Sequence, residues 1–247
     1  MIKSRLTVIT GSARGIGRRI AQRLAEQGKE IIVADIDGDA AAQTAADLVK
    51  DGYLAAGKTI NVCDPESVAK AITEITDAHG PISALVNNAG IVSSTPWDAT
   101  SLEEWNRVLA INLTGTMLMS QGVLPGMIEQ GHGRIVNIVS LAGRNGGVSV
   151  GPAYAASKAG IIGLTRHLAG KVAATGVTVN AVAPGTTRTP MVDDFTPEQM
   201  TAINRSIPVG RLGEVVEIAE AVAYFVGPHS GFTTGAILDV NGGMYFG

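Results

Sequence analysis

The chain has 247 residues, of which 45% are hydrophobic and 17% are charged, and its formal net charge is -3. This composition excludes a disordered chain and is ample for a sizeable core. The 31 glycines are too many for a helical bundle and indicate many tight turns between strands and helices. Charged residues are spread along the whole length, so no basic block predicts a nucleic-acid surface.

Predicted strands and helices alternate along the chain. Strands are predicted near 5–10, 30–35, 54–60, 82–87, 133–139, 177–183 and 236–240. Helices are predicted near 15–27, 38–51, 65–79, 101–130, 152–175 and 213–226. The strand runs are almost continuously apolar, as expected when both faces of a parallel sheet are covered. We therefore expect an α/β fold: a doubly wound parallel sheet of about seven strands with helices on both faces, and a ligand crevice at the carboxyl ends of the strands.

Compartment and partners follow from what the sequence lacks. Cys63 is the only cysteine, so no intrachain disulfide can form, which fits a reducing compartment. The first apolar run, Leu6–Thr10, is too short for a signal-peptide core and is followed by glycines. No stretch approaches the ~20 apolar residues of a membrane span. We expect a cytoplasmic protein with neither a membrane nor a nucleic-acid partner.

A glycine-rich turn joins the first strand to the first helix. Glycines at 11, 15 and 17 permit a tight turn, close approach of the backbone to a pyrophosphate, and close packing of helix on strand. The helix N-terminus offers unpaired N–H groups to the phosphates. The spacing alone would also fit an ordinary turn, but the strand–turn–helix order favours a single Rossmann-type domain over residues 1–247. The predicted contacts with the cofactor are Gly11, Ser12, Arg14, Gly15, Ile16 and Gly17.

The residues after the second strand bear on the choice of cofactor. The strand ends at Asp35, whose carboxylate can accept hydrogen bonds from a ribose diol and would repel a 2′-phosphate. Ile36 follows, where an arginine would have suited NADP. Arg14 argues the other way, since its guanidinium could reach that phosphate. The balance predicts NAD as the preferred cofactor, with NADP left open.

Tyr154 and Lys158 lie four residues apart on the helix that opens at Pro152, so both point along one face. A phenol is a poor base at neutral pH. A nearby ammonium and the positive ring of an oxidised nicotinamide would favour phenolate. Tyr154 could then accept the proton of an alcohol as hydride leaves, or donate one to a carbonyl.

Together with the glycine turn, the run from Asn87 to Gly90, Ser140 and the pair Pro184–Gly185, these residues resemble the ordered motifs of the short-chain dehydrogenase/reductase family. The motifs run from residue 10 to 189, and the final strand with 239–243 extends the likeness. The resemblance implies hydride transfer between a nicotinamide cofactor and an alcohol or carbonyl. It also implies a homotetramer built through helices 101–130 and 152–175, where the small residues Ala155, Ala159 and Gly163 suit close packing.

The resemblance also implies roles for individual residues. Ser140 would hydrogen-bond the substrate oxygen, Lys158 would also bind the nicotinamide ribose, and Asn112 would hold a water in the proton path. The catalytic set is thus Asn112, Ser140, Tyr154 and Lys158. The further cofactor contacts implied are Asn61, Val62, Asn88, Ala89, Gly90, Tyr154, Lys158, Pro184, Gly185, Thr187 and Thr189. Thirteen residues separate Ser140 from Tyr154, against twelve in much of the family, so the shape of the pocket does not carry over.

The substrate and its approach are less constrained. Some thirty irregular residues follow the sixth strand, and we predict a substrate lid near 186–212. Segments 128–132 and 173–175 are not basic, which disfavours docking of an acidic carrier protein at the mouth of the pocket. With Asp35, this favours NAD-dependent oxidation of a small secondary alcohol or polyol. The alternative is an NADPH-dependent 3-oxoacyl-thioester reductase acting on carrier-protein or CoA substrates.

Other interpretations carry less weight. A non-catalytic protein that senses NAD is opposed by the intact catalytic set. The four histidines have no metal-ligand spacing, so no metal is predicted. Of the two tryptophans, Trp105 is expected in the core, and a place for Trp97 beside the pocket stays open.

Overall fold

The computed structural model describes residues 5–188 and 196–247. Thr189 and part of the predicted lid near 186–212 lie outside the described residues. The strands are β1 (Leu6–Thr10), β2 (Glu30–Asp35), β3 (Ala55–Thr59), β4 (Ala84–Asn87), β5 (Gly133–Ile138), β6 (Val177–Pro184) and β7 (Ile237–Val240). The helices are α1 (Gly15–Glu26), α2 (Gly38–Lys50), α3 (Pro65–His79), α4 (Leu102–Leu109), α5 (Gly115–Glu129), α6 (Ala142–Asn145), α7 (Pro152–Val172), α8 (Pro197–Ser206) and α9 (Val215–Val226).

All seven strands are parallel and are arranged in the order β3-β2-β1-β4-β5-β6-β7. The prediction of a doubly wound parallel sheet is confirmed. The winding direction reverses between β1 and β4, and such a switch point opens a crevice at the carboxyl ends of the strands. The glycine turn follows β1 at this point, and the run from Asn88 to Gly90 follows β4.

The core has two apolar layers, one on each face of the sheet. Alternate residues of a strand point to opposite faces, so Ile9 packs with α1, α2 and α9 while Val8 packs with α3, α5 and α7. Both layers are made mainly of buried aliphatic side chains, and Phe225 belongs to the first. Because strands are covered on both faces, their sequences read as continuous apolar runs.

The helical segment Leu102–Glu129 differs from expectation in two respects. It contains a π-helical turn, Ala110–Thr114, between α4 and α5, a feature that is rare and frequent at functional sites. Its length and apolar composition also match those of a membrane span, contrary to the prediction that no such stretch exists. A core helix gives the same composition, and Met119, Val123 and Met127 are buried in the layer that covers the sheet.

Two short helices lie in segments for which the sequence predicts no helix. Helix α6 follows Ser140, and α8 lies within the predicted lid. Helix α8 begins with a capping box, in which Thr196 and Gln199 each accept a hydrogen bond from the other's backbone N–H. The run Thr196-Pro197-Glu198-Gln199 carries this signature, so α8 could have been predicted from the sequence.

Buried amides anchor α7, the predicted catalytic helix with Tyr154 and Lys158, to the sheet. Asn87 on β4 donates to Asn137 on β5 (2.9 Å) and to Ser120 on α5 (3.0 Å). Asn137 in turn donates to Thr165 on α7 (2.9 Å). Asn137, Ser120 and Thr165 are completely buried, so each lost partner leaves a polar group without water.

We predict that Asn137→Ala lowers the free energy of unfolding by about 2–4 kcal/mol, because it leaves a buried N–H of Asn87 without its acceptor and the buried hydroxyl oxygen of Thr165 without its donor. Denaturant unfolding followed by circular dichroism measures this loss. Asn106→Ala, at an exposed position of α4, is the matched control and should change stability by less than about 0.5 kcal/mol. Equal stabilities of the two variants would contradict the prediction.

Candidate active site

The glycine turn has the geometry of a dinucleotide cradle. Gly11 and Gly15 have φ values of 62° and 57°, which favour glycine. A Cβ on Gly17 would lie 2.4 Å from the carbonyl oxygen of Gly11, and one on Gly11 would lie 2.7 Å from the Cα of Ala89. A Cβ on Gly15 would have no neighbouring heavy atom within 4 Å, so the space beside this residue is open. The residues present therefore fit a pyrophosphate at the N-terminus of α1.

Hydrogen bonds join this turn to the loop after β4. The Oγ1 of Thr10 accepts from the backbone N–H groups of Asn88 (3.1 Å) and Ala89 (3.0 Å). The side-chain amide of Asn88 donates to the carbonyl oxygens of Thr10 (3.0 Å) and Gly11 (2.8 Å). The two predicted cofactor segments thus form one rigid unit across the switch point.

The Asp35 carboxylate is buried and fixed by backbone donors. Its Oδ2 accepts from the N–H of Ala13 (3.2 Å) and its Oδ1 from the N–H of Asp37 (3.2 Å). Each oxygen keeps a further lone pair for a ribose hydroxyl. Ile36 is 67% exposed beside it. Arg14 is exposed, and its side chain makes no hydrogen bond or ion pair within the described part of the chain.

The remaining predicted cofactor residues also follow the carboxyl ends of strands. Asn61 and Val62 come after β3, where the Asn61 carboxamide oxygen accepts from the N–H of Cys63 (3.1 Å) and Val62 packs against Gly115. Thr187, after β6, donates to the carbonyl oxygen of Gly185 (3.1 Å). The structure thus brings every described member of the predicted cofactor set to one edge of the sheet: Gly11, Ser12, Arg14, Gly15, Ile16, Gly17, Asp35, Ile36, Asn61, Val62, Asn88, Ala89, Gly90, Tyr154, Lys158, Pro184, Gly185 and Thr187.

Lys158 is a buried cation beside Tyr154. Its side chain is 5% exposed, and its Nζ donates to the carbonyl oxygen of Ile138 (2.8 Å). The Nζ lies 5.7 Å from the centroid of the Tyr154 ring. Burial lowers the pKa of Lys158 from 10.5 to about 8, because the charged form loses its hydration.

The Tyr154 phenol is held in its neutral form. Burial raises the pKa of Tyr154, and a hydrogen bond from Ser140 lowers it in part. That a nearby ammonium and an oxidised nicotinamide ring favour phenolate stays a prediction; in the chain itself burial is the largest influence on the pKa of Tyr154. The neutral phenol is the form that donates a proton.

Comparison with known proteins identifies the family. Over residues 11–245 the chain matches the family described as Enoyl-(Acyl carrier protein) reductase. It is 42% identical over 247 residues to the 3-oxoacyl-[acyl-carrier-protein] reductase FabG of Vibrio cholerae, a match that covers 99% of this chain and 98% of that protein. The chain is a short-chain dehydrogenase/reductase.

Solved structures agree with this assignment. A 3-oxoacyl-[acyl-carrier protein] reductase from Brucella melitensis superposes with a TM-score of 0.94 at 36% identity, covering 99% of this chain and 92% of that one. One from the same organism with bound NAD gives 0.91 at 35% identity, covering 100% and 93%. An actinorhodin polyketide ketoreductase with NADPH gives 0.93 at 35% identity, covering 98% and 97%. Both cofactors occur on this fold, so the likeness does not decide between them.

This short-chain dehydrogenase/reductase is therefore an oxidoreductase acting on CH–OH groups, and a purely NAD-sensing role is set aside. Within the described residues no group of three or more His, Cys, Asp or Glu side chains could hold a metal ion.

Asn112 ties the β4 loop to the catalytic helix of the dehydrogenase. It is fully buried in the π-helical turn. Its carboxamide oxygen accepts from the N–H of Ile91 (2.8 Å), and its NH₂ group donates to the Ile91 carbonyl (3.0 Å) and the Ser157 hydroxyl (3.0 Å). Both side-chain N–H bonds are engaged by protein. The water-holding role that the resemblance implies stays a prediction.

A second tie to the catalytic helix was missed in the sequence. The Oε1 of Glu104 accepts from the hydroxyls of Ser93 (2.5 Å) and Thr95 (2.8 Å), and these bonds lower the pKa of Glu104. The Ser93 carbonyl accepts from the N–H of Gly151, just before α7 (2.7 Å). The partners are distant in sequence, and no short motif marks them.

Both tryptophans line a groove of about 390 Å³ that reaches Pro152, two residues before Tyr154. Trp97 is 83% exposed there. The expected core position of Trp105 is wrong, because this side chain is half-buried in the groove wall. The other groove residues are Thr100, Ser101 and Leu102.

The two segments considered for carrier docking lie away from the site of their own chain. Segments 128–132 and 173–175 come directly before β5 and β6. They therefore lie at the amino ends of the strands, opposite the site of their own chain. Their lack of basic residues therefore says nothing about whether an acidic carrier protein could dock at the mouth of this chain's pocket.

The buried ammonium predicts a pH-dependent stability. Between pH 8 and 10.5 the unfolded chain carries the Lys158 proton and the folded chain releases it, so the stability of the wild type rises with pH in that window. Relative to Lys158→Met, the wild type should gain about 3 kcal/mol there. Urea unfolding across this pH range measures the difference. Lys171→Met, at an exposed position of the same helix, is the control, and an identical profile for both variants would contradict the prediction.

Proposed function

We propose that the chain reduces 3-oxoacyl thioesters to 3-hydroxyacyl thioesters, with a nicotinamide nucleotide as hydride donor. The observation that carries the proposal is 42% identity, over 99% of the chain, to a 3-oxoacyl-[acyl-carrier-protein] reductase. The likeness covers both the cofactor segments and the segments around Tyr154. This proposal takes the place of the small alcohol or polyol interpretation, whose support from carrier docking has been lost.

The proposed chemistry divides between cofactor and protein. The cofactor, when bound, supplies the hydride to C3 of the substrate. The glycine turn and Asp35 hold and orient it. Ser140 and Tyr154 donate hydrogen bonds to the 3-oxo oxygen, and the Tyr154 phenol transfers its proton to that oxygen as the hydride arrives. The Lys158 ammonium lies close enough to stabilise the phenolate that results.

The neutral phenol of Tyr154 is the form that the reductive direction requires. Because burial raises the pKa of this phenol, it is protonated at neutral pH and ready to act as an acid. Oxidation of an alcohol needs the phenolate, so we expect it to speed up as the pH rises.

For the cofactor we propose NAD(H). The fixed, buried carboxylate of Asp35 supports this, since a 2′-phosphate would meet its charge directly. Arg14, exposed and unpaired within the described residues, is the residue that would favour NADP(H).

For the assembly we propose a homotetramer with α5 and α7 at the contacts. Ala159 and Gly163 are exposed on α7 and leave room for a close neighbour. Ala155, expected at the same contact, is buried within the chain itself.

We predict that acetoacetyl-CoA is reduced by NADH and that Tyr154→Phe lowers kcat at least 100-fold, since it removes the proton donor but keeps the ring. Loss of NADH absorbance at 340 nm measures turnover, and cofactor fluorescence checks that the variant still binds NADH. Turnover of small diketones or ketoses in place of the thioester would overturn the proposal. Full activity of Tyr154→Phe would overturn the mechanism.

We predict that Asp35→Asn combined with Ile36→Arg shifts cofactor preference toward NADPH at least tenfold, measured as the ratio of kcat/KM values. The amide removes the repulsive charge at nearly the same shape, and the arginine can pair with the 2′-phosphate. Asp51→Asn, at an exposed position after α2, is the control for charge alone. A wild type that already prefers NADPH would contradict the role given to Asp35.

A further inference from the structure

The loop between Ser140 and Tyr154 is the part of the site that departs from the family pattern. It forms α6 and then turns at Gly146 (φ 85°) and Gly147 (φ 60°). Its first part lies directly on the catalytic helix, because a Cβ on Gly143 would be 2.7 Å from the carbonyl carbon of Lys158. The position of α6 therefore affects the positions of both Ser140 and Lys158.

The next residue, Arg144, is buried against the last segment of the chain. Its side chain is 7% exposed. Its guanidinium donates to the carboxylate of Asp239 (3.0 Å) and to the carbonyl oxygen of Gly247 (2.8 Å). The guanidinium carbon also lies 4.8 Å from the centroid of the Tyr245 ring. Asp239, Tyr245 and Gly247, all in the last segment of the chain, thus surround the Arg144 side chain.

That segment is itself fixed to the cofactor side of the sheet. The side chain of Asn241 donates to the carbonyl oxygen of Tyr245 (3.2 Å). A Cβ on Gly185 would lie 2.8 Å from the Cα of Asn241, so the segment packs directly on the end of β6. Contacts therefore run without a break from Gly185 through residues 239–247 to Arg144.

The burial of this ion pair is not explained by stability alone. The Asp239 side chain is 14% exposed, and its Oδ1 and the Nε of Arg144 lack partners within the described residues. An incompletely satisfied buried pair stabilises a fold little compared with apolar side chains, whereas it fixes a geometry. The neighbouring glycines leave the loop few other restraints.

We propose that Arg144 is a positioning residue, which holds α6 against the 239–247 segment and so sets the place of Ser140 and of the pocket wall. The inference rests on the proposed function, because it assigns the loop to the carbonyl substrate. It concerns the binding of that substrate. The glycine turn and Asp35 lie on the other side of the switch point, so we expect the affinity for the cofactor to depend little on this ion pair.

The test compares Arg144→Met, Arg144→Lys and Tyr245→Leu with the wild type in acetoacetyl-CoA reduction. We expect kcat/KM for the thioester to fall at least tenfold in both Arg144 variants, chiefly through KM, and severalfold in Tyr245→Leu. The dissociation constant of NADH should stay within twofold. Arg23→Met, which breaks an ion pair with Glu220 away from the site, should leave both constants unchanged.

A merely structural role would reduce the folded fraction and leave KM unchanged once active enzyme is counted, and that result would overturn the inference. If Arg144→Met does not fold, Arg144→Lys, which keeps the charge, and Tyr245→Leu decide. Hydrogen exchange of the amides of 141–151 gives a readout that needs no substrate. We expect at least tenfold faster exchange in the Arg144 variants than in Arg23→Met, and equal exchange would overturn the inference. Lack of thioester turnover by the wild type would overturn only the proposed function.

Discussion

The buried ammonium of Lys158 is the constraint around which the catalytic side of the structure is organised. A cation without water is costly unless polar groups face it, and here the Ile138 carbonyl oxygen accepts from it at 2.8 Å. The elements around it are packed tightly: a Cβ on Gly90 would lie 3.5 Å from its Nζ, and Gly143 touches its backbone. Small residues at these two places let the β4 loop and α6 approach the helix. The same approach brings Tyr154 and Ser140 together at the end of β5.

The cofactor side and the catalytic side are joined through short loops at one edge of the sheet. The Thr10 and Asn88 hydrogen bonds fix the β1 and β4 turns to each other, and Asn112 fixes the β4 loop to α7. A cofactor bound by the β1 and β4 turns would therefore be held at a fixed position relative to the Tyr154 phenol on α7. This explains why polar groups in this region are buried yet hydrogen-bonded.

Much of the fold and site could be predicted from the sequence, because its signals are local. Tyr154 and Lys158 share a helix face through their spacing, and Asp35 is placed by the end of an apolar strand. No local motif marks the contacts of Arg144 with Asp239 and of Glu104 with Ser93, so these were not predicted. The effect of burial on the pKa of Tyr154 had no such signal either, since desolvation depends on everything packed around the ring. Segments 128–132 and 173–175 were misplaced because their position follows from topology and not from their composition.

The central claim is that the half-buried Tyr154 and the buried Lys158 serve transfer of a hydride to the 3-oxo carbon of a thioester. The most direct measurement uses NADH carrying deuterium at both C4 positions, with acetoacetyl-CoA as acceptor and mass spectrometry of the product. Our account predicts 3-hydroxybutyryl-CoA with one deuterium, bound to C3, and at least 100-fold less of this labelled product from Tyr154→Phe within the same time. A product without deuterium at C3, or as much labelled product from the variant as from the wild type, would contradict it.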